Sequence, residues 1–307
     1  MTSRRVPRLQ LLGAAALFST GGAAIKATSL SAWEVAGYRS LVAALAFWLI
    51  VPTARRRWSA RDALVGLGYA ATMILFVAAN KLTTSANAIF LQSTAPIYIL
   101  LLAPWLLRER IRGRDLAFLA VVAAGLACFF LDEQQASSSA TNPLLGNLLA
   151  LGSGVGWALT VVGLRWLGAR AGGEAHGSVV AVSAGNVLAF LACLAPILLA
   201  DAPREPAAVA PTRTTDVLLV VYLGVFQIAV AYALVTAAMR HVEAFEASVL
   251  LLVEPVLNPV WAFLVQGERP AALSLAGGTA IVLATLVKTW SDAAEHARTV
   301  APLESPP

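Results

Sequence analysis

The residue that most directly suggests chemistry is Glu254, which stands near the middle of a long apolar segment and directly before Pro255. A carboxylate in a membrane-spanning segment costs about 3 kcal/mol unless it is protonated or paired. Proline removes one helical hydrogen bond and can leave a backbone carbonyl free nearby. Two interpretations stand side by side: Glu254 carries a coupling proton or faces a substrate amine, or it is a buried carboxyl satisfied by a neighbouring helix. Asn258 follows one turn later on the same helix face.

A second polar group lies in another apolar segment, one turn before Pro96. Gln92 and Ser93 offer an amide and a hydroxyl there, and Tyr98 follows the proline by two residues. These groups are candidates for binding the polar part of a small substrate. The alternative is an ordinary hydrogen bond between helices, which contributes about 0.6 kcal/mol in a membrane.

Aromatic residues form a third set of candidates. Trp157 aligns with Phe18 at a shift of 139 positions, and Gly152 and Gly13 align at the same shift. Paired aromatic side chains on equivalent helices would form opposite walls of a cavity, whereas the alternatives are core packing or an interfacial belt. The weaker candidates of the same kind are Trp261, Tyr232, Gln227, Tyr69 and Phe76.

Most other charged residues are interpreted as structural. Arg39, inside an apolar segment, is expected to snorkel outward or to pair with Glu34 on its own helix. Lys26 and Lys81, at segment ends, are expected to snorkel to the interface. The Glu-Arg pairs that follow apolar segments are interpreted as turn and capping pairs: Glu109-Arg110 and Glu268-Arg269.

The elements that must position these residues follow from composition. The chain has 307 residues, of which 59% are hydrophobic and 13% are charged, whereas soluble domains carry about 25% charged residues. The apolar residues occur in blocks of about 20, the length that spans a bilayer as a helix. We therefore predict an all-α integral membrane protein with ten transmembrane helices. They are expected near 9–27, 33–52, 62–79, 86–107, 115–131, 145–167, 179–200, 217–238, 244–266 and 273–290.

The orientation is predicted from the basic residues. With the N-terminus inside, sixteen of the 22 Lys and Arg residues lie in inner segments, five lie in outer ones, and Arg39 lies within a span. Both termini are therefore expected in the cytoplasm, and the protein is expected in the cell inner membrane. The net charge of +5 reflects this inward bias and requires no nucleic-acid partner.

An internal repeat sets the expected architecture. Residues 86–117 match residues 245–276 at a constant shift of 159 positions. Two halves of five spans each must enter the membrane from opposite sides, which is the inverted repeat of many secondary transporters. The expected units are 1–139, 140–291 and a flexible cytoplasmic tail, 292–307. The matched pairs are Ala88/Ala247, Leu91/Leu250, Pro96/Pro255, Ala103/Ala262, Glu109/Glu268, Arg110/Arg269, Leu116/Leu275 and Ala117/Ala276.

Ten spans in two halves, with a proline in the fourth helix of each half and a Glu-Arg pair before the fifth, resemble the drug/metabolite transporter superfamily in its EamA-type branch. Within that branch the chain resembles the YddG-type exporters of aromatic and other amino acids. The resemblance implies a central cavity among helices 1, 3, 4, 6, 8 and 9. It also implies peripheral helices 5 and 10, with helices 2 and 7 flanking or gating the cavity.

The predicted function is that of a secondary transporter that exports small metabolites, with amino acids implied by the resemblance, through alternating access. The alternatives are an exporter of drugs, cations or other metabolites with the same fold, or a non-transporting membrane subunit or membrane enzyme. We expect a small-molecule substrate, the lipid bilayer as surroundings, and either a monomer or a homodimer. No nucleotide-binding motif, catalytic triad or metal-ligand spacing is visible, so no enzyme activity, cofactor or metal is expected.

Overall fold

The structure is a computed structural model that describes residues 5–106, 113–131, 140–170, 176–199, 213–238, 250–251 and 253–300. Within these ranges the regular secondary structure is helical throughout. The helices are α1 (Arg5–Ser19), α2 (Gly21–Lys26), α3 (Ala32–Ile50), α4 (Ala60–Leu82), α5 (Ser85–Gln92), α6 (Ala95–Leu106), α7 (Gly113–Leu131), α8 (Pro143–Arg170), α9 (His176–Leu199), α10 (Arg213–Tyr222), α11 (Ala231–Ala238), α12 (Val253–Gln266) and α13 (Ala272–Val300). A short 3₁₀-helix (Pro52–Arg55) follows α3, and a π-helical segment (Leu223–Val230) joins α10 to α11.

Five continuous stretches of the described residues are long and apolar enough to cross a membrane. They are Ala32–Ile50, Ala60–Leu82, Pro143–Leu164, Ser178–Leu199 and Arg213–Val235. Shorter apolar helices cover Asp115–Cys128 and Ala272–Lys288. The prediction of an all-α membrane protein is confirmed in this form, and the count of ten spans stays a prediction.

The helices start where the sequence supplies caps. Ser31 and Glu34 form a capping box at the start of α3, and Ser59 and Asp62 form another at the start of α4. In each box the serine hydroxyl and the acidic side chain satisfy backbone N–H groups that would otherwise lack a partner. Both boxes fix where an apolar helix begins after a short loop.

The span predicted near 86–107 is interrupted before its proline, because α5 ends at Gln92 and α6 begins only at Ala95. Proline has no N–H, and its ring clashes with the carbonyl of the residue four positions earlier. That residue for Pro96 is Gln92. Thr94 stabilises the break, since its backbone N–H and its hydroxyl both donate to Leu91 O, at 3.2 and 2.6 Å.

Two other long apolar stretches are also irregular. The first is interrupted at Thr20, between α1 and α2. In the other, the π-helical segment Leu223–Val230 lies between two α-helical ends. Such irregularities inside membrane helices expose backbone groups and concentrate at functional sites. Both of them adjoin the site described below.

The packing of the helices is reciprocal between the first and second halves of the chain. Helix α4 packs on α8, and α1 packs in the same way on α11. Helices α5 and α6 pack on α8, while α12 packs on α1 and α2. Helix α3 packs on α9, and α7 packs on α13. This set of mutual contacts is the one expected of two equivalent halves.

Helix α13 continues to Val300, so part of the tail expected from residue 292 is helical. Glu109-Arg110 and residues 244–249, with which the ninth span was expected to begin, lie outside the described residues.

Candidate substrate-binding site

Three aromatic rings from three helices meet in the interior of the bundle. Tyr232 of α11 contacts Phe18 of α1 edge-on, with ring centroids 5.2 Å apart. Tyr232 also contacts Tyr69 of α4 edge-on, at 5.5 Å. Trp157 of α8 is half-buried and packs against the same cluster. The structure therefore brings four of the sequence candidates together, two from each half of the chain.

A buried polar contact holds Tyr69 in this cluster. The side-chain amide of Asn186, on α9, donates to Tyr69 Oη at 3.2 Å. The neighbouring Gly185 leaves room for the ring, because a Cβ at that position would lie 2.5 Å from Tyr69 Cδ1. The orientation of Tyr69 is therefore set both by a hydrogen bond and by the absence of a side chain at residue 185.

Glu254 extends the cluster with a carboxylate. It lies in the first turn of α12, is half-buried, and interacts electrostatically with Tyr232. Among the described residues, none donates a hydrogen bond to its carboxylate. On the opposite face of α12, Val256 and Val260 are 57% and 46% exposed, as expected for side chains that contact lipid. Glu254 therefore faces the protein interior without a counter-ion from the described part of the chain.

Arg39, on α3, is 1% exposed and lies against the aromatic cluster. Its Nη2 donates to the backbone carbonyl of Met73 at 3.0 Å. The prediction that it snorkels or pairs with Glu34 is wrong. Residues five positions apart point in different directions on a helix, and Glu34 instead accepts from the Ser31 N–H at 2.9 Å.

A group of buried polar side chains, which we call the polar layer, lies next to the interruption between α1 and α2. Asn258 is fully buried, and neither atom of its amide has a hydrogen-bond partner in the described structure. Gln227 is 7% exposed, and its Oε1 is likewise unpaired there. Both amides lie close to glycine backbone: a Cβ would lie 2.9 Å from Gln227 Nε2 at Gly21 and 3.0 Å from Asn258 Nδ2 at Gly22.

Trp261 belongs to this polar layer as well. Its indole Nε1 donates to Ser19 Oγ at 2.9 Å, where α1 ends. Ser19 itself is fully buried. The indole thus links α12 to the interruption between α1 and α2. Glu254, beside the aromatic cluster, and Asn258 and Trp261, in the polar layer, all lie on one face of α12.

The remaining candidates lie elsewhere. The Ser93 hydroxyl donates to the Ile89 carbonyl of its own helix at 2.7 Å. Tyr98 is half-buried, and its ring lies near Gly154, where a Cβ would be 3.3 Å from Tyr98 Cε2. Gln92 is also half-buried, and its backbone carbonyl contacts the same glycine. Phe76 is buried in a separate apolar core.

A buried ion pair joins the end of α2 to the turn after α12. Lys26 Nζ lies 2.7 Å from Glu268 Oε1, and the other carboxylate oxygen accepts the Ser85 N–H at 2.9 Å. Gln266 adds a hydrogen bond from Nε2 to the Ala23 carbonyl at 2.7 Å. We call these contacts the polar closure.

The predictions for the charged residues at this end are corrected. Lys26 does not snorkel, because it pairs with Glu268 and its side chain is 6% exposed. Lys81 donates to the carbonyl and hydroxyl of Thr28 at 2.8 and 3.0 Å. Glu268 does not merely cap a turn, since it joins α2 to α5 across the chain. Each of these charged groups therefore has a partner on another element of the chain, which lowers the cost of burying it.

Two comparisons with other proteins add to this geometry. An uncharacterized protein of Pseudomonas aeruginosa is 30% identical over 276 residues, covering 85% of this chain and 88% of that protein. An uncharacterized transporter of Clostridium kluyveri is 24% identical over 228 residues, covering 74% of this chain and 70% of that protein. The chain also matches the EamA-like transporter family twice, over residues 8–131 and 144–290. The chain belongs to the EamA-like transporter family.

The fold agrees with a solved structure. A protein known from a crystal structure superposes on this EamA-like chain with a TM-score of 0.58, over 98% of this chain and all of that one. At 21% sequence identity this likeness concerns the fold. The family membership and the helices described above identify the chain as a multi-pass membrane protein of a transporter family.

In this EamA-like protein, sequence reasoning missed three residues of the site region. Arg39 was interpreted as structural, although an arginine in the middle of an apolar segment is itself a signal of function. Asn186 and Ser85 carried no signal beyond being polar in apolar segments. In the described part of the chain, no group of three or more His, Cys, Asp or Glu residues lies close enough together to hold a metal ion.

Proposed function

We propose that this EamA-like protein is a secondary transporter that exports amino acids across the cytoplasmic membrane by alternating access. The observation that supports this most is the central cluster of Phe18, Tyr69, Trp157 and Tyr232 beside the carboxylate of Glu254. A small substrate that is apolar at one end and charged at the other matches such a site.

The aromatic cluster with Glu254 and the polar layer next to it together suit the binding of an amino acid. The aromatic rings offer an apolar surface for its side chain. Glu254 lacks a described partner and is suited to an ammonium group. The amides of Asn258 and Gln227, which are unpaired in the described structure, supply further hydrogen-bonding groups on the path past the cluster. Gln92 and Tyr98 are proposed as a more distant part of the same path, whereas Ser93 and Phe76 take no part in it.

Alternating access follows from the repeat, with the units 1–139 and 140–291 inverted relative to each other. The rocking of one unit against the other would close one end of the path as it opens the other. With both termini in the cytoplasm, the end that carries Lys26 and Glu268 is the outer end. The polar closure then corresponds to a state closed to the outside.

Energy coupling is proposed to run through Glu254. A carboxyl group that faces the interior of a membrane protein can exchange a proton as its surroundings alternate. Because the same carboxyl faces the substrate amine, a proton and a substrate would compete for it. Proton coupling of export would follow from that competition.

Uptake into proteoliposomes tests this proposal. The purified protein is reconstituted and offered a panel of labelled amino acids, with and without a proton gradient, beside protein-free liposomes. We expect saturable uptake of amino acids with large apolar side chains, and a change of rate with the gradient. Folded protein that moves none of the panel would overturn the assignment of amino acids.

A second candidate function is the export of organic cations. A carboxylate without a described partner beside the aromatic cluster also suits a quaternary ammonium ion. Tetraethylammonium that competes with amino acid uptake and is itself transported would favour this alternative. Amino acid uptake that is insensitive to an excess of tetraethylammonium would exclude the cation from this site.

A further inference from the structure

Arg39 is buried in the bundle with part of its hydrogen-bonding capacity unused. Helix α3 places it seven residues, or about 10 Å, beyond its first residue Ala32, inside the apolar region. Its Nη2 donates to the Met73 carbonyl, but Nε and Nη1 are buried and have no hydrogen-bond partner in the described structure. No carboxylate of the described residues pairs with it. A desolvated guanidinium in this state is costly, and the cost falls when an anion binds.

Tyr232 lies within electrostatic range of two opposite charges. Its hydroxyl interacts with the guanidinium of Arg39 and with the carboxylate of Glu254. No ion pair joins Arg39 and Glu254 in the part of the chain that the structure describes. A guanidinium and a carboxyl group therefore both lie within electrostatic range of one buried aromatic hydroxyl.

This arrangement matches a small zwitterion better than a singly charged ligand. A carboxylate is the anion that guanidinium nitrogens bind most readily in proteins, through charge-assisted hydrogen bonds. An ammonium ion is the complementary ligand for Glu254. An α-amino acid carries both groups on one carbon, and its side chain would then face Phe18 and Trp157.

We propose that Arg39 binds the carboxylate of the transported amino acid while Glu254 binds its ammonium group, with Tyr232 between them. The assignment rests on the proposed function of the central site. In the state described here Tyr69 and Tyr232 pack beside the guanidinium, so the substrate reaches it after these rings move. Arg39 thus makes the site prefer amino acids over amines that lack a carboxylate.

The test compares L-phenylalanine with two analogues that each lack one charged group. Phenethylamine lacks the carboxylate, and 3-phenylpropionate lacks the amine. Each competes with labelled phenylalanine for uptake by proteoliposomes of the wild type, Arg39→Gln and Arg39→Lys, and of Arg57→Gln as a control. Arg57 is an exposed arginine on the loop after α3.

In the wild type both analogues should compete at least tenfold more weakly than phenylalanine. Arg39→Gln should weaken phenylalanine and 3-phenylpropionate about tenfold or more and leave phenethylamine unchanged, so that the preference for phenylalanine over the amine is lost. Arg39→Lys should retain part of that preference, and Arg57→Gln should behave as the wild type. Glu254→Gln should weaken phenethylamine and phenylalanine and spare 3-phenylpropionate.

Equal weakening of all three ligands in Arg39→Gln would overturn the proposal and show a structural role for Arg39. If Arg39→Gln does not fold, the same comparison in Arg39→Lys decides, and so does the wild type alone, since equal competition by phenethylamine contradicts a carboxylate site. Absence of any phenylalanine uptake by the wild type would instead be a failure of the proposed transport of this amino acid.

Discussion

The ammonium group of Lys26 and the carboxylate of Glu268 lie 2.7 Å apart, with side chains that are 6% and 3% exposed. The two residues are far apart in the sequence, and Glu268 also accepts the backbone N–H of Ser85. One carboxylate thus holds together α2, the start of α5 and the turn after α12. Breaking a buried ion pair by removing one charge leaves the other uncompensated, which makes this contact sensitive to substitution.

Substitution Glu268→Gln should therefore open the polar closure. In a background in which Cys128 and Cys193 are replaced by alanine, a cysteine is introduced at Asn258, which is fully buried beside this end. Its labelling by a membrane-impermeant maleimide should be at least tenfold faster in Glu268→Gln than in the background alone. Glu34→Gln is the matched control, because glutamine still completes the capping box of α3. Equal labelling rates in the three proteins would show that the ion pair does not close this end.

Substitution Trp157→Ala should weaken the transport of amino acids with large apolar side chains. Full burial of such a side chain contributes about 1.5–3 kcal/mol, so loss of one aromatic wall should raise the KM for leucine or phenylalanine about tenfold. The KM for alanine should change much less. The measurement is the concentration dependence of uptake in proteoliposomes, with Trp290→Ala as control, because Trp290 is 66% exposed on α13. A uniform rise in KM for large and small substrates would argue against a wall at Trp157.

Substitution Glu254→Gln should abolish the response of transport to a proton gradient. The amide has nearly the shape of the carboxyl group but cannot exchange a proton at neutral pH, and no hydrogen bond of the described structure is lost. Folding is checked by the unfolding midpoint in detergent, which should stay close to that of the wild type. Proton-dependent flux that persists in this variant would remove Glu254 from the coupling mechanism.

Substitution Gly185→Ala should displace Tyr69. The new methyl group would lie 2.5 Å from Tyr69 Cδ1 and 2.9 Å from its Cβ, so the ring or α9 must move. Overpacking of this kind costs about 1–3 kcal/mol in the free energy of unfolding, which denaturant titration in detergent can measure. Gly113→Ala is the control, because nothing lies within 4 Å of its added methyl group. Equal stability of the two variants would show that Tyr69 adapts at no cost.

Helix content and the central aromatic residues were predictable from the sequence. Long apolar blocks admit only helices in a membrane, and alignment of the two halves paired Phe18 with Trp157, which pack against the same cluster. The same reasoning found Glu254, because a carboxylate in an apolar segment is rare enough to stand out. The sequence therefore identified a candidate site residue wherever its residue type was unusual for the segment around it.

The directions of the other side chains were not predictable. Nearly every face of these helices is apolar, so periodicity does not distinguish the interior from the lipid side, and Phe76 and Tyr69 looked equivalent although they lie in different clusters. Arg39 and Lys26 found their partners on other helices, which only the three-dimensional packing reveals. The break before Pro96 also depends on the hydrogen bond from the Thr94 hydroxyl to the Leu91 carbonyl. A proline allows such a break but does not by itself require it.

The π-helical segment Leu223–Val230 fixes the rotational phase between the two ends of its span. An α-helix turns by about 100° per residue, and a π-helix accommodates an extra residue within a turn. If this segment were wound as an α-helix without losing a residue, the extra residue would swing all later side chains around the axis by about that angle. Gln227 and Tyr232 would then no longer face the interior together. Natural relatives that keep both contacts must therefore either keep the π-helical winding or have a segment one residue shorter, even where its side chains vary.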